Sequence, residues 1–144
     1  MEGAVSNPII LYDGVCGLCN RLVQFVLKRD QRNRFRFASL QSPLAAQILQ
    51  RFGANPADLD TVYVVLARGR PDEQLEARSD AVIVILRELG GVWGLLSSVL
   101  RALPRGFRDW GYNLVARYRY RVFGKFDSCP LPKAKDKPKF LDLL

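Results

Sequence analysis

The chain of 144 residues contains no histidine. That absence removes Ser–His–Asp and Cys–His catalysis, the His-Glu-x-x-His metal helix and every histidine-containing zinc site. Long apolar runs are also missing. None approaches the roughly 18 residues of a spanning helix, and the longest, Val92 to Leu100, is interrupted by Gly94, Ser97 and Ser98. The opening stretch, Met1 to Ser6, has neither a basic nor an apolar region, so no secretory signal is expected and a cytosolic setting follows. Cysteine is scarce, at 3 residues. In a reducing compartment so few thiols point to catalysis or metal binding rather than to disulfide staples. The balance of 49% hydrophobic and 25% charged residues is ordinary for a globular protein, and the length suits one domain with a real core.

Charge is unevenly spread. Residues 1–100 hold 11 Lys/Arg against 10 Asp/Glu, whereas residues 101–144 hold 11 against 4. The basic character therefore belongs to the C-terminal third.

What chemistry remains is concentrated at Cys16 and Cys19. They stand at Cys-x-x-Cys spacing after the apolar run Ile9 to Tyr12 and the turn residues Asp13 and Gly14. The order reads as a buried strand, a glycine-containing turn, and two cysteines in the first turn of a helix. A thiol there meets the positive end of the helix dipole and unpaired backbone N–H groups, which favour its thiolate. A free cysteine titrates near ~8.5, and such contexts lower that to roughly 3.5–7.5. Strand, turn, Cys-x-x-Cys and helix in a βα context is the sequence form of a thioredoxin-like redox site.

The rest of the chain extends this pattern. Leu18, Leu22, Phe25 and Val26 form a helical stripe, and Arg34 to Ala38 alternates as a strand. Ser42-Pro43 opens a helix to about Phe52, closed by Gly53. Thr61 to Ala67 is a β-branched strand, Arg68 to Asp72 a turn, and Gln74 to Ala77 a return strand. Ser79 or Asp80 then caps a helix that ends at Gly90-Gly91. The expected architecture is α/β, a thioredoxin-like mixed sheet of order β-α-β-α-β-β-α. Crossover helices join parallel strands, and the hairpin adds an antiparallel edge. The core spans about 7–91, a helical extension about 92–124 and a basic tail about 125–144. In the extension, Trp110, Leu114, Tyr118 and Val122 recur at helical spacing, so they are expected to be buried against the sheet or the hairpin. The Lys/Pro-rich tail is expected to be extended and partly mobile.

The segment Tyr12 to Asn20, with Asp13, Cys16 and Cys19 as Asp-x-x-Cys-x-x-Cys, resembles the DCC-type thiol-disulfide oxidoreductases, a thioredoxin-like family. The likeness continues through Phe37 to Ser42, Ser79 to Ala81, Tyr118 to Lys125, and Asp127 to Cys129. It implies dithiol/disulfide exchange with a protein or small-molecule thiol or disulfide substrate, and no organic cofactor. Two features depart from better-understood thioredoxins. The residues between the cysteines, Gly17-Leu18, lack proline, and Asp60-Thr61 stands where those proteins place a cis-proline.

Within this reading Cys16 is the attacking nucleophile and Cys19 resolves the mixed disulfide. Asp13 is either a general base for Cys19 or a turn residue bonding local backbone N–H groups. Cys129 is a third redox thiol, part of a three-thiolate metal site with Cys16 and Cys19, or a tail cysteine of no consequence. The alternative to an enzyme is a binding module that uses the same scaffold to hold metal, nucleic acid or an anionic membrane surface. The run Arg117 to Arg121 invites the nucleic-acid reading, but alternate residues on a helix point in nearly opposite directions, so its tyrosines and arginines form no single platform. Peripheral membrane contact would use the basic C-terminal segment.

Overall fold

The β-branched and aromatic runs become short strands, and most helices start where the sequence supplies a cap or a turn. The computed structural model of the chain describes residues 8–14, 16–30, 34–54, 62–66, 71, 73–124 and 139–141. In order these form β1 (Ile9–Tyr12), α1 (Gly17–Arg29), β2 (Arg36–Ser39), α2 (Pro43–Arg51), β3 (Tyr63–Leu66), β4 (Gln74–Ala77), α3 (Arg78–Leu89), α4 (Gly91–Ala102) and α5 (Arg105–Phe123). The sheet order is β2-β1-β3-β4. β1 and β2 are parallel, joined through α1, while β3 runs antiparallel to β1 and to β4. The fold is the expected thioredoxin-like mixed α/β arrangement, with its parallel pairing confined to β1 and β2.

Side-chain alternation along these strands explains why they read as continuous apolar runs. Ile10, Tyr12, Phe37 and Val64 face one side and pack with Val23 and Val26 of α1 and Val84 and Ile85 of α3. Ile9, Leu11, Ala38, Tyr63 and Val65 face the other side and pack with Ala45, Ile48 and Leu49 of α2. Both faces are covered, so both sets must be apolar. The local stops are equally physical. Asp30, the C-cap of α1, accepts N–H bonds from Arg34 at 3.0 Å and Phe35 at 2.8 Å, which turns the chain into β2. Ser42 caps α2 as expected, its Oγ accepting from Ala45 N at 3.2 Å. Gly90 and Gly91, at φ +73° and +59°, make the bend between α3 and α4 that a side chain would resist.

Two expectations need correction. The N-cap of α3 is Ala77, without a side-chain bond. Ser79 and Asp80 instead reach α5: Ser79 Oγ donates to Asp109 at 2.5 Å, and Asp80 pairs with Arg108 at 2.9 Å and Arg105 at 3.2 Å. Secondly, α5 rests on α1 and α3, and the stripe Trp110, Leu114, Tyr118 and Val122 is exposed, at 40–68%. The inward face carries Arg108, Tyr112, Ala116 and Tyr120, offset by two residues from that stripe and so nearly opposite to it. Polar anchors decided the rotation, for reasons given below. Within the tail, the described residues 139–141 are docked. Phe140 is buried at 3% exposure, bridges Phe37 at the edge of β2, stacks on its ring at 5.0 Å and meets Tyr12 edge-on at 6.3 Å. Among the described residues, no helix is long and apolar enough to cross a membrane.

These placements predict opposite costs for two aromatic truncations. Phe140→Ala is expected to lower unfolding stability by about 3–5 kcal/mol, as for other buried phenylalanines. Trp110→Ala should stay within about 0.5 kcal/mol, as for an exposed site. Urea unfolding of both variants checks this, and a large cost at Trp110 with none at Phe140 would contradict the packing.

Candidate active site at the start of the first helix

The turn between β1 and α1 is fastened from both sides. Cys16 N–H donates to the Asp13 carbonyl at 3.1 Å. Gly14 is held at both of its backbone groups: its N–H donates to Gln41 Oε1 at 3.0 Å, and its carbonyl accepts from Asn20 Nδ2 at 2.8 Å. Asn20 Nδ2 also donates to the Cys16 carbonyl at 2.9 Å. Gln41 is itself set by Ser39, whose Oγ donates to Gln41 Oε1 at 2.7 Å and accepts from Gln41 N at 3.0 Å.

On this turn Cys16 becomes the N-cap of α1, and Cys19 lies in the first helical turn. The Cys16 Sγ accepts the Cys19 N–H at 3.4 Å, so the nucleophile expected from the sequence also caps its own helix. The helix end and this N–H favour the thiolate, while complete burial of Cys16 works against the charged form. Cys19 is half-buried. Arg21, on the next turn, is exposed.

Asp13 is 1% exposed. Its Oδ1 accepts from Gln41 Nε2 at 2.7 Å, and its Oδ2 accepts from the Tyr120 hydroxyl. These partners come from just past β2 and from α5. Tyr120 brings the last turn of α5 to the site, and Gly17 N–H donates to the carbonyl of Gly124 at 3.0 Å. The end of α5 thus covers the start of α1. Further along, the Tyr112 hydroxyl accepts the Val62 N–H at 2.8 Å. The stretch Asp60-Thr61 lies outside the described residues, and no cis peptide occurs among those described.

Between α1, α3 and α5 lies a cavity of about 330 Å³ with Leu18, Cys19, Leu22, Val82, Val115 and Ala116 on its walls. Cys19 faces this cavity from the base. Among the described residues, no cluster of three or more His, Cys, Asp and Glu side chains is arranged to hold a metal ion. Cys129 lies outside the described residues.

Gln41, Asn20, Tyr112 and Tyr120 are the participants that motif reading missed. Gln41 and Tyr120 lie in two of the segments that carried the family likeness, which was their one signal. Nothing local links residue 41 or residue 120 to residue 13. Tyr120→Phe removes a charge-assisted bond and should cost about 1.5–3 kcal/mol. It should also loosen the end of α5, so that Cys16 alkylates several-fold faster with iodoacetamide, read by mass spectrometry. Unchanged stability and unchanged labelling would show that Tyr120 does not hold this cover.

The model of the DCC1-like thiol-disulfide oxidoreductase family matches residues 10–125. The uncharacterized protein YuxK of Bacillus subtilis (strain 168) is 38% identical over 137 residues, covering 95% of this chain and 96% of that protein. The chloroplastic DCC family protein At1g52590 of Arabidopsis thaliana is 37% identical over 126 residues, covering 88% of this chain and 70% of that protein. No solved structure gives a significant match. With the Asp-x-x-Cys-x-x-Cys turn, the sheet order and the matched span in agreement, the chain belongs to the DCC1-like thiol-disulfide oxidoreductase family.

Proposed function

We propose that the protein is a thiol–disulfide oxidoreductase that cycles Cys16 and Cys19 between dithiol and disulfide. The observation that carries this is Cys16 at the N-cap of α1, its Sγ accepting the N–H of Cys19. That placement favours a thiolate and sets the second cysteine one helical turn away.

The Cys16 thiolate attacks a substrate disulfide R–S–S–R′. A Cys16–S–S–R bond forms, the S–S bond of the substrate breaks, and R′–S⁻ leaves and takes up a proton. Cys19, as its thiolate, then attacks the Cys16 sulfur, so that R–S⁻ leaves and the Cys16–Cys19 disulfide closes. Two electrons pass from the protein to the substrate, and the two protons of the cysteine pair end on the released thiols. A thiol pool in a reducing, cytosolic setting returns the pair to the dithiol. With Cys16 fully buried and the adjacent Gly17 bonded to Gly124, we place the opening of that contact before attack. We assign Asp13 a positioning part, exerted through Gln41 and Tyr120, in preference to a proton-accepting one.

In graded glutathione buffers, alkylation and mass spectrometry should report one reversible two-thiol transition at Cys16 and Cys19. Cys16→Ser should reduce exchange to background, and Cys19→Ser should accumulate a mixed disulfide on Cys16. A Cys16→Ser protein that exchanges at the wild-type rate would end this reading.

A second reading concerns where the protein works. Val92, Leu95 and Val99 of α4 and Phe107 and Trp110 of α5 are 56–68% exposed, beside the exposed Arg101, Arg105, Arg117 and Arg121. Apolar and aromatic side chains among cations suit an anionic bilayer surface. Co-sedimentation with phosphatidylserine-containing vesicles should exceed that with phosphatidylcholine vesicles and fall in Leu95→Ser/Trp110→Ser. Equal sedimentation with both, or self-association without vesicles, would reject the membrane as the partner.

A further inference from the structure

The cavity beside Cys19 is unusual in what its walls lack. Among the described residues that line it none is charged, and the Tyr112 hydroxyl on its wall is engaged with Val62 N–H. At about 330 Å³ it lies within the usual range of small-molecule sites, roughly 300–1,000 Å³. A neutral apolar wall penalises a charged occupant and rewards an uncharged apolar one.

One wall residue gives a second, independent observation. Gly111 sits inside α5, away from either end. Glycine there weakens a helix relative to alanine. It has no positive φ, and a Cβ built on it would meet nothing within 4 Å. Neither backbone conformation nor close packing explains this glycine. Its missing side chain leaves the cavity open, next to a thiol of the redox pair.

We propose that the cavity walled by Cys19, Leu22, Val82, Gly111, Val115 and Ala116 is the specificity pocket of the redox pair, taking the uncharged apolar substituent of a disulfide or thiol substrate. The proposal rests on the oxidoreductase reading above and adds to it a substrate class. α5 supplies Gly111, Val115 and Ala116, so the C-terminal extension is part of the substrate site. The substituent R of R–S–S–R′ enters the cavity and carries its sulfur to the cysteines. The exchange then runs as written: two electrons move from the cysteine pair to the substrate disulfide, and two thiols leave.

The test uses the full chain in its reduced state and an isosteric pair of disulfides, dipropyl disulfide and bis(2-hydroxyethyl) disulfide. Oxidation of Cys16 and Cys19 is followed by alkylation and mass spectrometry, with each rate normalised to oxidation of dithiothreitol by the same disulfide. The wild type should prefer the propyl compound by about fourfold, as the transfer of one methyl-sized apolar group from water permits. Gly111→Leu fills the cavity without a backbone clash, and it should bring the ratio near one by lowering the propyl rate. Val115→Asp, at a half-exposed wall position, should do the same and guards against a folding defect in the first variant. Binding of the redox-inert dipropyl sulfide, observed by ligand NMR, should be lost in Gly111→Leu. Equal normalised rates in the wild type, or a preference that survives both variants, would overturn the pocket. Binding of the sulfide that Gly111→Leu abolishes, in a protein inert to both disulfides, would support the pocket and reject the oxidoreductase reading.

Discussion

A buried carboxylate governs this end of the molecule. Asp13 leaves water almost completely, and a carboxylate in that position is costly unless donors reach it. Those donors come from Gln41, just past β2, and Tyr120, in the last turn of α5. The demand of one side chain therefore draws two distant parts of the chain to the turn that carries the cysteines. Gln41 then serves twice, since the same amide that donates to Asp13 accepts from Gly14. This tie steadies the turn that carries the two cysteines, because the turn is held by groups that would otherwise lie apart.

The same logic explains why α5 exposes its aromatic stripe. Burying Leu114 or Val122 would gain about 1.5–3 kcal/mol each. That rotation would withdraw Arg108 from Asp80, Asp109 from Ser79, Tyr112 from Val62 and Tyr120 from Asp13. Asp80, Ser79, the Val62 N–H and Asp13 would then lose these partners at one stroke, which outweighs the apolar gain. Tyr118 is left outside, with Arg117 and Arg121 over its ring at 5.8 and 6.0 Å. Tyr118 and Tyr120 point apart, so the basic-aromatic run is no stacking platform for bases.

The extension also changes what the thioredoxin-like frame can do. It covers Cys16, occupies the N–H of Val62, and walls the cavity onto which Cys19 opens.

Much of this was legible from residue order alone. The strand at Ile9–Tyr12, the cysteines at a helix start, the Ser42-Pro43 cap, the return strand Gln74–Ala77 and the glycine bend at 90–91 are local events, set by steric preference, capping and period. The same holds for the mixed α/β class and for the absence of histidine-based chemistry. The partners of Asp13, the face that α5 turns inward, the docking of Phe140 beside Phe37 and the cavity at Cys19 were not legible. Each is a contact between residues far apart in the chain, chosen by which buried polar groups need donors and which surfaces can close over them. A helical period shows that a stripe exists; which stripe is buried depends on what it meets, and only the folded chain decides that.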